Sequence, residues 1–338
     1  MSEMTREIHS RQLITLDGSG ARIEGTRHMA SSEGRLAEGG QADRSSLGVL
    51  FLNSMSPTRA AAGDSAVYWA DCVAQCGFPA FRIDFPGFGD SGGEPPARLL
   101  NHIDMGGYAS LVAAKAREIV ELYKLSGVVL VGLCSGAVSA IYAAGASSDC
   151  KGLVLMDPYF HLPLKRPSKL WQKLTGRISR TAPGLTLSKW YEGLMARATT
   201  LIGGAVPANA NHPLLNCWKN IATTGMPILL FRAPGFRQRG EFDYLGHILK
   251  LAGRKGRVQV KSIEGAGHTF SNRKGRLAVR ESMESWLEEY FSLPANDERA
   301  KGKGRRGFAR DSFARDKGSK HAMTHTAHAE IGCALEGR

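Results

Sequence analysis

The chain has no apolar run of the roughly 18 residues that a bilayer-spanning helix needs, so no membrane span is expected. Its start, Met1-Ser2-Glu3-Met4-Thr5-Arg6, is polar and lacks the apolar segment of a signal peptide, which points to the cytoplasm. Cysteine is sparse and scattered: Cys72, Cys76, Cys134, Cys150, Cys217 and Cys333. Thiols so placed in that compartment are expected to be reduced. Cys72 and Cys76 stand four apart on an expected helix, but no second Cys or His pair accompanies them. Packing, not metal binding, is the reading, and neither a metal nor a cofactor is expected. Acid is the scarcer charge, with 31 Asp plus Glu against 44 Lys plus Arg and a formal net charge of +13. Part of that excess sits beyond Asn296, in Arg299, Lys301, Lys303, Arg305, Arg306, Arg310, Arg315, Lys317 and Lys320 among Gly and Ala. Such a stretch cannot bury a core, so 296–338 reads as a disordered basic tail. Loose contact with an anionic surface is one use for it. A solvated tail with no specific nucleic-acid partner is the preferred reading.

The chain is rich in what a folded core requires. Apolar residues make up 43% of 338, enough for one large domain with an insertion. The organising stretch is Val128-Val129-Leu130-Val131-Gly132-Leu133-Cys134-Ser135-Gly136-Ala137-Val138. A β-branched run fits a buried strand; small residues and then Ser139-Ala140-Ile141-Tyr142 fit a helix. A nucleophile at such a strand–turn–helix corner needs small residues two positions before and after it, because strand and helix pass close together. Around Cys134 those positions are Gly132 and Gly136; around Ser135 they are Leu133 and Ala137. Sterics select Cys134 as nucleophile and leave Ser135 to offer its backbone N–H. The alternative is a small buried cysteine.

Taken in order, 1–11 reads as a disordered start. Gln12–Leu16 and Ala21–Met29 fit a hairpin about Asp17-Gly18-Ser19-Gly20. Leu47–Leu52 is a buried strand that runs into the loop Asn53–Pro57. A helix from Asp64 to Gln75 stops at Gly77 and Pro79. The strand Ala80–Phe85 opens into Pro86-Gly87-Phe88-Gly89-Asp90-Ser91-Gly92-Gly93. Its glycines satisfy G-x-G-x-x-G, but Pro86 lies inside the turn and Glu94-Pro95-Pro96 follows where a dinucleotide fold needs a helix, so no dinucleotide site is assigned. One long helix is expected over 102–124. Lys151–Asp157 is a strand. From Tyr159 to Gly225 the pattern breaks, and 159–225 is read as a helical lid insertion. Pro227–Phe231, a helix near Phe242–Leu251, a strand near Val258–Ile263, the loop Glu264–Phe270 and a helix over Arg276–Phe291 complete the chain. Alternating strands and helices argue for an α/β fold: a mostly parallel sheet covered on both faces, with core segments 12–158 and 226–292. Cys134, Asp157, the loop after Phe231, His268 and the Asn53–Ser56 loop then meet at the carboxyl ends of the strands, where such sheets bind ligands.

Three stretches, Asp84-Phe-Pro-Gly-Phe-Gly-Asp-Ser91, Gly132-Leu-Cys-Ser-Gly-Ala137 and Gly265-Ala-Gly-His-Thr-Phe-Ser271, resemble the α/β-hydrolase superfamily in its serine-aminopeptidase-like branch. More narrowly, the cysteine elbow with a late Gly-x-x-His-Thr-Phe-Ser is similar to hydrolases found beside bacterial exosortase and exopolysaccharide systems. Its Cys also resembles dienelactone hydrolases, which use Cys, His and Asp. The resemblance implies His268 as base, since the family places its histidine after the last strand; His161, His212 and His247 lack that context. It places the acid shortly after the strand ending at Phe231, yet Arg232-Ala233-Pro234-Gly235-Phe236 contains none. Asp243 is the preferred acid, Glu241 lies beside it, and Asp157 is the alternative one strand earlier. The oxyanion hole is expected at the N–H of Ser135 and one from Asn53–Met55, so Ser54 or Met55; the usual His-Gly there is replaced by Asn53-Ser54. The thiolate is the attacking species, and an imidazole and a helix N-terminus favour it. The expected activity is hydrolysis of a small-molecule ester or acyl thioester through an acyl-cysteine. Acyl transfer on the same fold, or a hydrolase-fold binding protein without catalysis, are the alternatives. The sequence carries no signal of oligomeric state.

Overall fold

The computed structural model describes residues 11–17, 22–31, 47–53, 55–163, 206–207, 209–235 and 244–291. Eight strands form one sheet: β1 Arg11–Leu16, β2 Ile23–His28, β3 Leu47–Leu52, β4 Ala80–Ile83, β5 Gly127–Leu133, β6 Cys150–Met156, β7 Pro227–Arg232 and β8 Arg257–Ser262. Their order across the sheet is β1-β2-β4-β3-β5-β6-β7-β8. β2 pairs antiparallel with both neighbours, and the pairs from β4 through β8 are parallel. Parallel strands need crossover connections. Helices α1 Ser65–Gln75, α2 Leu99–Asp104, α3 Ala109–Leu122, α4 Ser135–Ala146, α5 His212–Ala222 and α6 Leu245–Ala252 lie in those connections, and α7 Arg273–Phe291 follows β8.

The central strands are apolar on both sides because both sides are covered. All six residues of β3 are buried, and successive ones serve opposite faces. Leu50, Leu52, Leu130 and Leu155 pack with Val112, Ile119, Ile141 and Trp218 on one face. Val49, Phe51, Val131 and Met156 pack with Trp69, Val73, Met283 and Trp286 on the other. The indole Nε1 of Trp69 donates to the Arg276 carbonyl at 3.2 Å, tying α1 to α7.

The structure corrects several element boundaries. Arg11 belongs to β1, where it pairs opposite His28, so the unassigned start is shorter by one residue. The strand expected to reach Phe85 ends at Ile83. The single helix expected over 102–124 is two, α2 and α3, broken at Met105–Tyr108. Gly106 there has φ 76°, and a side chain on it would press into the Tyr142 ring of α4. The break brings α2 close to α4. Within the segment read as a lid, Tyr159, Phe160 and α5 are core: Trp218 is fully buried, and its Nε1 donates to the Ile248 carbonyl at 2.9 Å. Before Gly225, α5 packs against α4 and α6. Residues 164–205 of that segment, the loop at 32–46 and the basic tail lie outside the described residues.

Candidate active site

β5 delivers the chain into a tight corner. Cys134 adopts φ 53°, ψ −113° and caps the N-terminus of α4. A non-glycine residue at positive φ is costly, and the close fit of strand and helix holds it there. A Cβ at Gly132 would collide with the Gly136 carbonyl group, and one at Gly136 with the Leu52 carbonyl oxygen. The tight pair therefore flanks Cys134. Ser135 is the first residue of α4 and is buried. Its backbone N–H is one of the helix's orphan donors, and the partial positive charge of the helix start adds to it.

Adjacent strand ends are laced together beside the corner. The Cys134 N–H donates to the Met156 carbonyl at 2.8 Å, and the Asp157 N–H donates to the Phe231 carbonyl at 2.8 Å. Asp157, itself at φ 47°, thus stands one strand over from Cys134. His268 descends from the loop between β8 and α7. Its Nδ1 lies 2.6 Å from Asp157 Oδ2, and its side chain also hydrogen-bonds Cys134. The second Asp157 oxygen lies 3.8 Å from Arg232 Nε, whose guanidinium rests 4.7 Å over the Tyr244 ring.

Burial lowers the His268 pKa, but the bonds and charges of Asp157 and Cys134 overrule it and lift it to about 9. Carboxylate and sulfur thus both act to favour the imidazolium form of His268. Two residues beyond Asp157, the buried Tyr159 hydroxyl donates to Asp104 Oδ1 at 2.9 Å. Burial raises the Asp104 carboxyl. It also raises the Tyr159 phenol, with Asp104 and then Cys134 adding to the effect.

Cys134, His268 and Asp157 are thus brought together, with the Ser135 N–H at the same corner. Asp243, Glu241 and Ser54 lie outside the described residues. Met55 is 44% exposed, in the loop that leaves β3. Sequence reasoning ranked Asp157 second. Its tie to Phe231 through the β6–β7 pairing carried no linear signal. Tyr159 and Asp104 were not singled out, and nothing in their spacing marks them. Among the described residues no group of three or more His, Cys, Asp or Glu stands together as a metal site, and no helix is long and apolar enough to cross a membrane.

No curated protein matches the chain. Among solved structures, the esterase Pf2001 of Pyrococcus furiosus superposes with a TM-score of 0.54 at 14% identity, covering 84% of this chain and 94% of that one. DcsB, solved in complex with its substrate analogue, gives 0.53 at 17% identity over 83% and 99%. Est1E of Butyrivibrio proteoclasticus, with ferulic acid bound, gives 0.50 at 13% identity over 81% and 99%. Likeness at these identities is a likeness of fold. The alpha/beta hydrolase family model matches residues 49–279, from the middle of β3 into α7 and across the elbow, Asp157 and His268. With that match over more than half its length, and with the sheet order and corner described above, the chain belongs to the alpha/beta hydrolase family.

Proposed function

We propose that the protein hydrolyses a carboxylic ester or thioester of a small molecule through an acyl-cysteine intermediate, with Cys134 as nucleophile, His268 as base and acid, and Asp157 as the orienting carboxylate. The observation that carries this reading is the 2.6 Å contact of His268 Nδ1 with Asp157 Oδ2, with Cys134 acting on the same imidazole. That contact also weighs against the binding-protein alternative, which rested on the missing acid after Phe231. The esterases among the fold neighbours support an ester as the bond attacked.

The steps follow from the geometry. His268 holds the thiol proton, and the Cys134 thiolate adds to the substrate carbonyl carbon. The carbonyl oxygen becomes an oxyanion facing the Ser135 N–H and a second donor from the loop after β3. As the carbon–oxygen or carbon–sulfur bond breaks, the leaving group takes the proton from His268. Water then gives a proton to His268 and adds to the acyl-cysteine. Collapse releases the carboxylic acid and restores the thiolate–imidazolium pair. Asp157 keeps Nδ1 engaged and stabilises the imidazolium throughout. An alcohol or amine in place of water would give acyl transfer by the same steps.

Iodoacetamide labelling joined to ester turnover tests this. Label should map to Cys134 and slow in His268→Gln, and a series of p-nitrophenyl esters and acyl thioesters of rising chain length should show turnover that both Cys134→Ala and His268→Gln abolish. Label spread over the other cysteines, with no turnover of any member of the series, would overturn the reading.

A further inference from the structure

One buried carboxylate has no part in the Cys134–His268–Asp157 line. Asp84, just past β4, has a side chain with no solvent exposure, and a lone ionised group there would be costly. It is fully engaged. Its Oδ1 accepts the backbone N–H of Arg59. Its Oδ2 accepts the Arg59 guanidinium and, at 3.2 Å, the Asp90 N–H. Arg59 is gripped elsewhere too. Its Nε donates to Thr26 Oγ1 at 2.8 Å, and its Nη1 reaches Asp90 at 2.8 Å. Its carbonyl accepts from Arg82 Nη1 at 3.1 Å and from Asn53 Nδ2 at 3.5 Å. Arg82 is itself held through Nε by His28 Nε2 at 2.8 Å, and His28 Nδ1 by Asp71 at 2.7 Å.

Gly89 and Asp90 in the glycine-rich turn after β4 close over this carboxylate. Any Cβ at Gly89 would collide with the Asp84 carboxyl group, and the Gly89 N–H donates to the Pro57 carbonyl at 2.9 Å. Within the G-x-G pattern that mimics a dinucleotide motif, Gly89 is thus fitted to an internal anion, while Gly87 is fitted to Pro95. The clamp also holds one end of a loop whose other end lies against the elbow. A Cβ at Gly136 would meet the Leu52 carbonyl and, at 3.5 Å, the Asn53 Cα. Between the ends, the Ser56 N–H donates to the Asn53 carbonyl at 3.0 Å. The described residues of the loop after β3 are therefore tied to Asn53 on one side and to Arg59 on the other.

We propose that Asp84 is a positioning residue for acyl transfer at Cys134: through Arg59 it fixes the described stretch from Met55 to Arg59, so that the Met55 N–H is in place before the oxyanion forms. The proposal rests on the esterase reading above. Asp84 touches no reacting atom. Its effect is on preorganisation, since a donor that must be reoriented in each turnover stabilises the transition state less.

The test compares two reactions of the same sulfur. Ester turnover develops an oxyanion; alkylation by iodoacetamide displaces iodide from carbon and develops none. In Asp84→Asn, kcat on a p-nitrophenyl ester should fall about tenfold to a hundredfold, the range expected for a loosened donor. KM should change little, and the alkylation rate of Cys134 should stay within about twofold, because the thiolate–imidazolium pair is untouched. Arg59→Lys keeps the backbone bond to Asp84 and one charge and should show a smaller fall with the same split. If Asp84→Asn does not fold by circular dichroism, Arg59→Lys and Arg59→Met decide by the same ratio, with Met the more severe. Unchanged turnover, or turnover and alkylation falling in parallel, overturns the positioning role. A wild-type protein that is alkylated at Cys134 but turns over no ester instead refutes the underlying esterase reading, and that measurement precedes the variants.

Discussion

Replacing Asp157 with Asn is the most informative single change at the site. The carboxylate Oδ2 lies 2.6 Å from His268 Nδ1, and its hydrogen bond is the first of the effects that lift the imidazole to about 9 against the pull of burial. Asn keeps the shape and one acceptor but removes the charge. Each pKa unit lost by the imidazolium is about 1.4 kcal/mol of stabilisation, or tenfold. In a serine triad the same change costs about 10⁴ in kcat. A thiol ionises far more readily than a serine hydroxyl and needs less help from the base. We therefore expect Asp157→Asn to lower kcat by roughly one to three orders of magnitude, with the larger part in kcat and not KM. The assay is steady-state hydrolysis of a p-nitrophenyl ester, joined to the pH dependence of Cys134 alkylation. The midpoint that reports the imidazolium should move down in the variant. Circular dichroism guards against misfolding. Activity within twofold of wild type, with an unmoved alkylation profile, would refute the role given to Asp157. A large loss in Asp243→Asn alone would return the acid to the loop after β7.

Three further outcomes are expected. Gly136→Ala forces a Cβ onto the Leu52 carbonyl and should cost at least about 1–3 kcal/mol of stability, read from denaturant midpoints; a neutral effect would mean that the elbow is looser than described. Trp218→Ala should cost about 3–5 kcal/mol, because α5 is core; a loss below about 1 kcal/mol would return α5 to the lid. His268 has a raised pKa in the folded protein, so its stabilising contribution is complete below about 6.5, its unfolded value, and is lost as pH rises through about 9. The lead in thermal midpoint of wild type over His268→Gln should shrink across that window, and a lead that grows with pH would contradict the sign.

Much of the fold was legible in the sequence because its signals are local. Runs such as Leu47–Leu52 and Gly127–Leu133 announce strands buried on both faces, and the Gly132/Gly136 spacing around Cys134 is a steric statement that needs no third dimension. His268 was legible from its place after the last strand together with a family resemblance. The pairing of Asp157 with His268 was not, because it depends on neighbourhood across the sheet. Asp157 reaches His268, 111 residues away, since β6 lies between β5 and β7, and that order has no local signature. The clamp at Asp84 was hidden for the same reason. Its motif was visible, but its partner Arg59 sits in an unremarkable loop 25 residues earlier. The break between α2 and α3 was missed because the apolar pattern continues across Gly106-Gly107, and only the contact of Gly106 with Tyr142 reveals why the chain must turn there.

The central claim is that a carbonyl carbon becomes bonded to the Cys134 sulfur during turnover. Rapid acid quench of the protein mixed with a p-nitrophenyl ester, followed by intact-mass and peptide-mass analysis, measures this directly. The account predicts one acyl group per chain, on the peptide containing Cys134, accumulating to a higher level in His268→Gln if deacylation is slowed more than acylation, and absent in Cys134→Ala. An acyl group on Ser135, or turnover that persists in Cys134→Ala, would contradict it.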